Sequence, residues 1–506
     1  MSHNYLLLLI CVLYQLPSSS GQSLDSLTDA LYAQADTFVQ QDENESAMEQ
    51  LEEAMRLIQN ESLTRNQVIR FYEKAINQAE AIFQKTKNED YLKRAFKWTE
   101  ECKLLLINHL RKKINIEKVN NNIVQIEELR SKILKDSITL LEYLIGEKDV
   151  FLFKITKNDI DLFKIRRDIL LEKKVKKLVQ MVNVPSENVK EFSEVAYELY
   201  TYLLPISPLK KCIIVPDGIL HYLPFEVLLT EKPTTPNFKT LPYLLRQTSI
   251  SYAYSATDLK RHYKGLPINI GKQFLGIAYP DQDSREEVSH LKRKLKGDVL
   301  IDSENARLNF EENVDDYDIL HLALGGRMSD ESPKESGLYL SDNEGFINTT
   351  ALYKQEMDAS MIVLNSCAND MEQASTGEGI IALTQALSED SESVISAHWT
   401  TDKTVSKDLM NRFYNHLSNK QPKGDALRQA KLDYLSENYV NNKTAHPYYW
   451  ASYLAYNNML PLEIQILIED FVWSAVVLIL VLLAIGYIML RKKSEVIPVG
   501  SMSSVR

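Results

Sequence analysis

Cysteine is scarce: 4 in 506 residues. That excludes a disulfide scaffold and an array of zinc ribbons. Glycine and proline number 16 each, which excludes collagen-like and low-complexity chains. A basic surplus is missing too. Lys and Arg total 58 against 69 Asp and Glu, a formal net charge of −11. Nucleic-acid binders carry the opposite balance, so nucleic acid is not an expected partner. The mean hydropathy of −0.25 is too polar for a multi-span membrane protein and leaves room for one or two spans. What is present is ordinary for folded protein: 25% charged and 44% hydrophobic residues. The length corresponds to about three domain-sized units.

The two ends supply the candidate spans. Residues 5–14 read YLLLLICVLY, followed by Pro17, three serines and Gly21. An apolar run ahead of small residues predicts a secretory signal peptide over 1–22, although the leading residues hold only His3 and no Lys or Arg. Residues 471–490 read FVWSAVVLILVLLAIGYIML, twenty residues without a charge. At 1.5 Å per residue that length spans about 30 Å of hydrocarbon. Arg491, Lys492 and Lys493 follow it, and Glu463, Glu469 and Asp470 precede it. The basic side is the cytoplasmic one. The expectation is a single-pass membrane protein whose bulk is periplasmic or extracellular, with 491–506 as a cytoplasmic tail. Such a chain keeps Cys102, Cys212 and Cys367, an odd number, so at least one thiol is free or pairs between chains.

Between Ser23 and Ile145 there is neither Gly nor Pro. Apolar residues recur at helical spacing, as in Leu51, Ala54, Met55 and Ile58, then Tyr72, Ala75, Ile76, Ala79 and Phe83. This predicts helix throughout 23–145, with 23–130 an all-α region of stacked hairpins resembling tetratricopeptide (TPR) repeats. No clean 34-residue period is present, and a plain helical bundle fits as well. From about residue 146, short β-branched and aromatic runs alternate with helical stretches. They include DILHLAL (318–324), SMIVLNSC (360–367) and SVISAHW (393–399). Strands alternating with helices predict a mixed, mostly parallel sheet flanked by helices, with chemistry at the strand carboxyl ends. The basic stretch Arg166–Lys177 interleaves with Ile169, Leu170, Leu171 and Val175 and reads as the solvated face of an amphipathic helix, with lipid or nucleic-acid binding the lesser alternative. Asn44, Asn60, Asn348 and Asn442 open glycosylation sequons.

Two strand ends carry the functional signal: His321-Leu322-Ala323-Leu324-Gly325-Gly326, and Leu364-Asn365-Ser366-Cys367 ahead of a polar loop. A cysteine at a strand tip before a helix is well placed as a nucleophile. With IIVPDGILHYLPFEVL (213–228), GEGIIALTQAL (377–387), SVISAHWTTDK (393–403), ALRQAKL (426–432) and HPYYWASYLAY (446–456), these segments resemble the CHAT domain family, peptidase-like domains related to caspases and separases. The resemblance implies an α/β caspase-like domain over 131–465, after the TPR-like region and before the membrane helix.

It also implies a His–Cys dyad. The nucleophile falls on Cys367, and the histidine position falls on Gly325. Gly326 and the Cys367 amide are the implied oxyanion donors, and Asp402 matches an aspartate that lines the pocket or caps the next helix. Loss of a positioned acid–base costs about 10²–10⁴ in rate, and a free thiol titrates near ~8.5. His321 lies four residues before Gly325, about 13 Å back along a strand, and reads as a buried structural residue, as does His446. His398 is the candidate substitute base. The expectation is a degenerate, non-catalytic peptidase homologue that binds a protein or peptide. The alternative is an active cysteine endopeptidase using Cys367 with His398. No cofactor or metal is implied, and the sequence does not set the oligomeric state.

Overall fold

The structure is a computed structural model. It describes residues 24–59, 61, 63–117, 122–135, 137–206, 209–263, 272–295, 297–301, 305–341, 345–369, 374–462, 480 and 482–485, with side chains at 272 and 366–369 excepted. Met1–Leu462 forms one compact unit and Glu463–Arg506 a second. The expected signal peptide lies outside the described residues. So does most of the expected membrane span, of which 480 and 482–485 are helical. Among the described residues no helix is long and apolar enough to cross a membrane.

Four helices open the described chain: α1 (Leu24–Gln40), α2 (Asn44–Gln59), α3 (Arg65–Thr86) and α4 (Asp90–Lys113). Thr64 and Gln67 form a reciprocal capping box that starts α3. The helices bury the predicted apolar stripe, including Leu51, Tyr72, Ala75 and Phe96. The strand β1 (Ile138–Ile145) departs from expectation, because this stretch reads as more helix. It is buried on both faces. Leu140 and Leu144 join the helical core, while Leu141 and Tyr143 join the core on the other side. A continuous apolar run has no period that separates a buried strand from a helix.

Twelve further strands are described: β2 (Asp149–Ile155), β3 (Ile160–Arg166), β4 (Lys211–Val215), β5 (Ser249–Tyr252), β6 (Lys272–Ala278), β7 (Asp298–Leu300), β8 (Tyr317–Met328), β9 (Gly337–Tyr339), β10 (Phe346–Asn348), β11 (Met361–Asn369), β12 (Ser393–Ala397) and β13 (Tyr453–Asn457). They join one sheet in the order β10-β9-β8-β11-β12-β13-β5-β4-β1-β2-β3, with β6 pairing β8 and β7. The ladders β8–β11, β11–β12, β6–β8, β4–β5 and β1–β4 are parallel, whereas β1–β2, β2–β3, β8–β9 and β12–β13 are antiparallel. This is the expected mixed, mostly parallel sheet. Residues 447–450 of the HPYYW segment form a short helix, and the strand begins only at Tyr453.

The helices and the sheet share a core across the expected boundary at residue 130. Phe151, Phe153, Ile213 and Val215 of the sheet pack with α1–α4. Buried carboxylates fasten the junction. Glu73 accepts from the amides of Glu147, Lys148 and Asp149 at 2.6–3.0 Å. Glu100 accepts from Ala256 and Thr257. Asp217 accepts from Arg65 and from the Ile145 amide, both at 2.7 Å. Burial raises the Asp217 pKa, but Arg65, Lys103 and the Ile145 amide more than offset it, and the net shift is downward.

Candidate functional site

The structure sets the two candidate strand ends side by side. In the parallel ladder of β8 and β11, Gly325 pairs with Ser366 and Gly326 with Cys367, after a register shift beyond Leu364. Gly326 is buried and also pairs with Leu338 of β9. The Cys367 backbone belongs to β11, and its side chain lies outside the described set.

A cavity of about 540 Å³ opens at these strand ends, and Gly325 forms part of its wall. Among the described side chains, a Cβ at Gly325 would meet only Tyr339, at 3.8 and 3.9 Å, which is ordinary contact. The position therefore has room for a side chain. No histidine is among the described residues that line the cavity.

The cavity floor is a polar network that the sequence reading missed. Glu287 is 6% exposed on the helix Gln282–Leu295. One carboxylate oxygen lies 3.1 Å from His321 Nε2, and the other accepts from Asn365 Nδ2 at 2.6 Å. Asn365 Oδ1 in turn accepts from Ser406 Oγ at 2.7 Å and from the Tyr453 hydroxyl. His321 is fully buried, and its Nδ1 lies 3.0 Å from the Tyr414 hydroxyl. Both ring nitrogens are thus held inside the core, so this histidine serves the floor of the cavity and not its mouth.

His398 lies elsewhere. It is 1% exposed and stacks on Tyr456, whose hydroxyl lies 2.8 Å from Nε2. Burial, with smaller contributions from His221 and Lys431, lowers its pKa to about 3. His446 caps its short helix through Nδ1, which accepts from the Tyr448 amide at 3.0 Å. Asp402 is the N-cap of the helix Lys403–Ser418, accepting from Thr404 and Val405. The next residue, Lys403, lines the cavity and bridges Asp281 and Asp283.

Asp330, also unforeseen, organises the loop between β11 and the helix Glu378–Ser388. Its carboxylate accepts from the amides of Ser375, Thr376, Gly377 and Gly379 at 2.8–3.0 Å and from the Tyr222 hydroxyl at 2.7 Å. Burial raises its pKa, and these bonds outweigh burial and hold it below the usual range. Gly377 has φ +75°, and a Cβ there would collide with His221 at 2.6 Å. Only glycine fits that turn.

A model of the CHAT domain matches residues 193–458, just over half of the chain. The protein belongs to the CHAT domain family. No curated protein matches it. The solved Saccharomyces cerevisiae separase–securin complex aligns over 86% of this chain and 40% of that one, with 10% identity and a TM-score of 0.47. This chain therefore spans well under two thirds of that relative's length.

Proposed function

We propose that this CHAT protein is a membrane-anchored, non-catalytic peptidase homologue whose strand-end cavity binds a protein or peptide ligand. The observation that carries the reading is Gly325: a glycine stands in the cavity wall where the family resemblance calls for an imidazole. Support comes from the other two histidines, since the His321 nitrogens engage Glu287 and Tyr414 and His398 Nε2 engages Tyr456. The membrane part rests on the charge-free run 471–490 and the basic triplet after it.

The test uses full-length protein in detergent, challenged with a fluorogenic peptide library. The expected result is binding of a subset of peptides without turnover. Cleavage that disappears in Cys367→Ala would overturn it, and loss of that cleavage in His398→Ala would establish the peptidase alternative. Extraction of membranes at alkaline pH checks the anchor. Release of the protein into the supernatant would remove that part of the reading.

A further inference from the structure

Beside the strand-end cavity lies a second one of about 490 Å³, lined by Arg285, His290 and Arg293 of the helix Gln282–Leu295 and by Lys407 of the neighbouring helix. The two cavities share Glu286 and Lys407. The second has the opposite electrostatic character from the chain as a whole, which carries −11. Lys407 is paired with Glu286 at 3.3 Å. Arg285 and Arg293 bond no carboxylate or carbonyl through their guanidinium groups among the described residues. Every other described arginine bonds one or the other: thus Arg65 meets Asp217, Arg111 meets Glu389, Arg412 meets Asp408, and Arg130, Arg246 and Arg428 donate to backbone carbonyls. In an acidic protein, two guanidinium groups in one groove without carboxylate or carbonyl partners among the described residues are a departure that local packing does not require.

The spacing selects a ligand. Arg285 and Arg293 are eight residues apart on one helix, about 12 Å along its axis. In an extended peptide, residues four apart are separated by about 13 Å. Guanidinium groups bind carboxylates in planar, two-point fashion. We propose that this groove binds an acidic peptide segment, with carboxylates about four residues apart on Arg285 and Arg293. This deepens the peptide-binding reading above and rests on it: the ligand in the strand-end cavity continues into the groove through an acidic stretch.

The experiment measures fluorescence anisotropy of full-length protein in detergent with labelled Gly/Ser dodecapeptides carrying two glutamates four residues apart. Arg285→Glu/Arg293→Glu is expected to weaken binding at least tenfold with an unchanged melting temperature, and replacing the glutamates with glutamine is expected to abolish it. Binding should fall as salt rises, because the groove is open to solvent. Equal binding by wild type and the double variant would overturn the proposal. So would tighter binding of tripolyphosphate or oligothymidylate than of the peptide, which would make the groove a phosphate site. Gly325→Leu separates the two readings. It obstructs the strand-end cavity at Gly325, so binding of the acidic peptide that survives it supports the groove even where the cavity reading fails.

Discussion

Gly325 faces Tyr339 across the β8–β9 ladder, and among the described side chains the nearest atom a side chain at 325 would meet is Tyr339 Cδ2, at 3.8 Å. The backbone at Gly325 needs no left-handed conformation, so the glycine is not there for the fold. Gly325→His should therefore fold with a melting temperature within a few degrees of wild type. If the thiol of Cys367 and the new imidazole meet, alkylation of Cys367 by a peptide warhead at pH 7 should rise by up to about 30-fold, the gain from a few per cent thiolate to full ionisation. The rate of labelling, followed by intact mass, is the measurement. A stable variant with an unchanged rate would mean that an imidazole at 325 does not reach the Cys367 thiol.

Acid should destabilise this protein earlier than its carboxylates alone dictate. Burial lowers His221 and His398 to about 3 and His446 to about 4, against an ordinary value of 6.5. The unfolded chain binds protons on these rings where the folded chain does not. Stability is thus complete above about pH 6.5 and falls as pH drops toward the folded values. Each ring contributes on the order of 1.4 kcal/mol per pH unit in that window. Urea unfolding at pH 7.5, 6 and 5 should show the decline. His446→Asn keeps a capping acceptor and should remove about a third of the slope. A flat profile between pH 7 and 5 would contradict the burial of these rings.

The anchoring of the loop by Asp330 predicts a local effect. Asp330→Ala leaves four amides without their acceptor and removes one bond of the Tyr222 hydroxyl. Buried donors left unmet cost about 1–3 kcal/mol each where water cannot reach them, so a total loss of roughly 2–4 kcal/mol is expected after partial solvation. Hydrogen exchange should accelerate at 375–380 more than in α1–α4. Uniform acceleration would show that Asp330 acts on global stability alone.

The junction between helices and sheet predicts that residues 24–132 do not fold alone. Their core is completed by Phe151, Phe153, Ile213 and Val215, and Glu73, Glu100 and Arg65 reach partners beyond residue 145. The isolated fragment should melt without a cooperative transition, and in the whole chain Asp217→Ala should cost about 1–3 kcal/mol by leaving the Ile145 amide without its acceptor and the part-exposed Arg65 without its counter-charge. A sharp transition for the fragment would make the helical region an independent module.

Local pattern carried much of this architecture and pair geometry carried the rest. DILHLAL and SMIVLNSC read as buried strands and pair directly as β8 and β11, because apolar runs bounded by polar loops have few other ways to bury themselves. The helix at 378–388 follows from its periodicity. β1 was hidden because ITLLEYLI is apolar on both faces. Glu287 and Asp330 were invisible for a different reason. Each is one of two adjacent acids in a polar stretch, and its meaning comes from partners 34 and 78 residues away in Glu287 and 45 to 108 away in Asp330. The isolation of His321 from the cleft was legible, since four residues of strand separate it from Gly325. That it grips Glu287 was not.

The seam between α3 and the sheet also sets a timetable for the ribosome. Arg65 is made 152 residues ahead of Asp217, and Glu100 is made 156 ahead of Ala256. At 5–20 residues per second, the first helices spend roughly 10–30 s in the exit region with their sheet-facing side uncovered. During that interval the nascent chain presents a greasy, half-finished surface, and its safe passage depends on whatever holdase is at hand until the strand carrying Ile213 and Val215 arrives to close it.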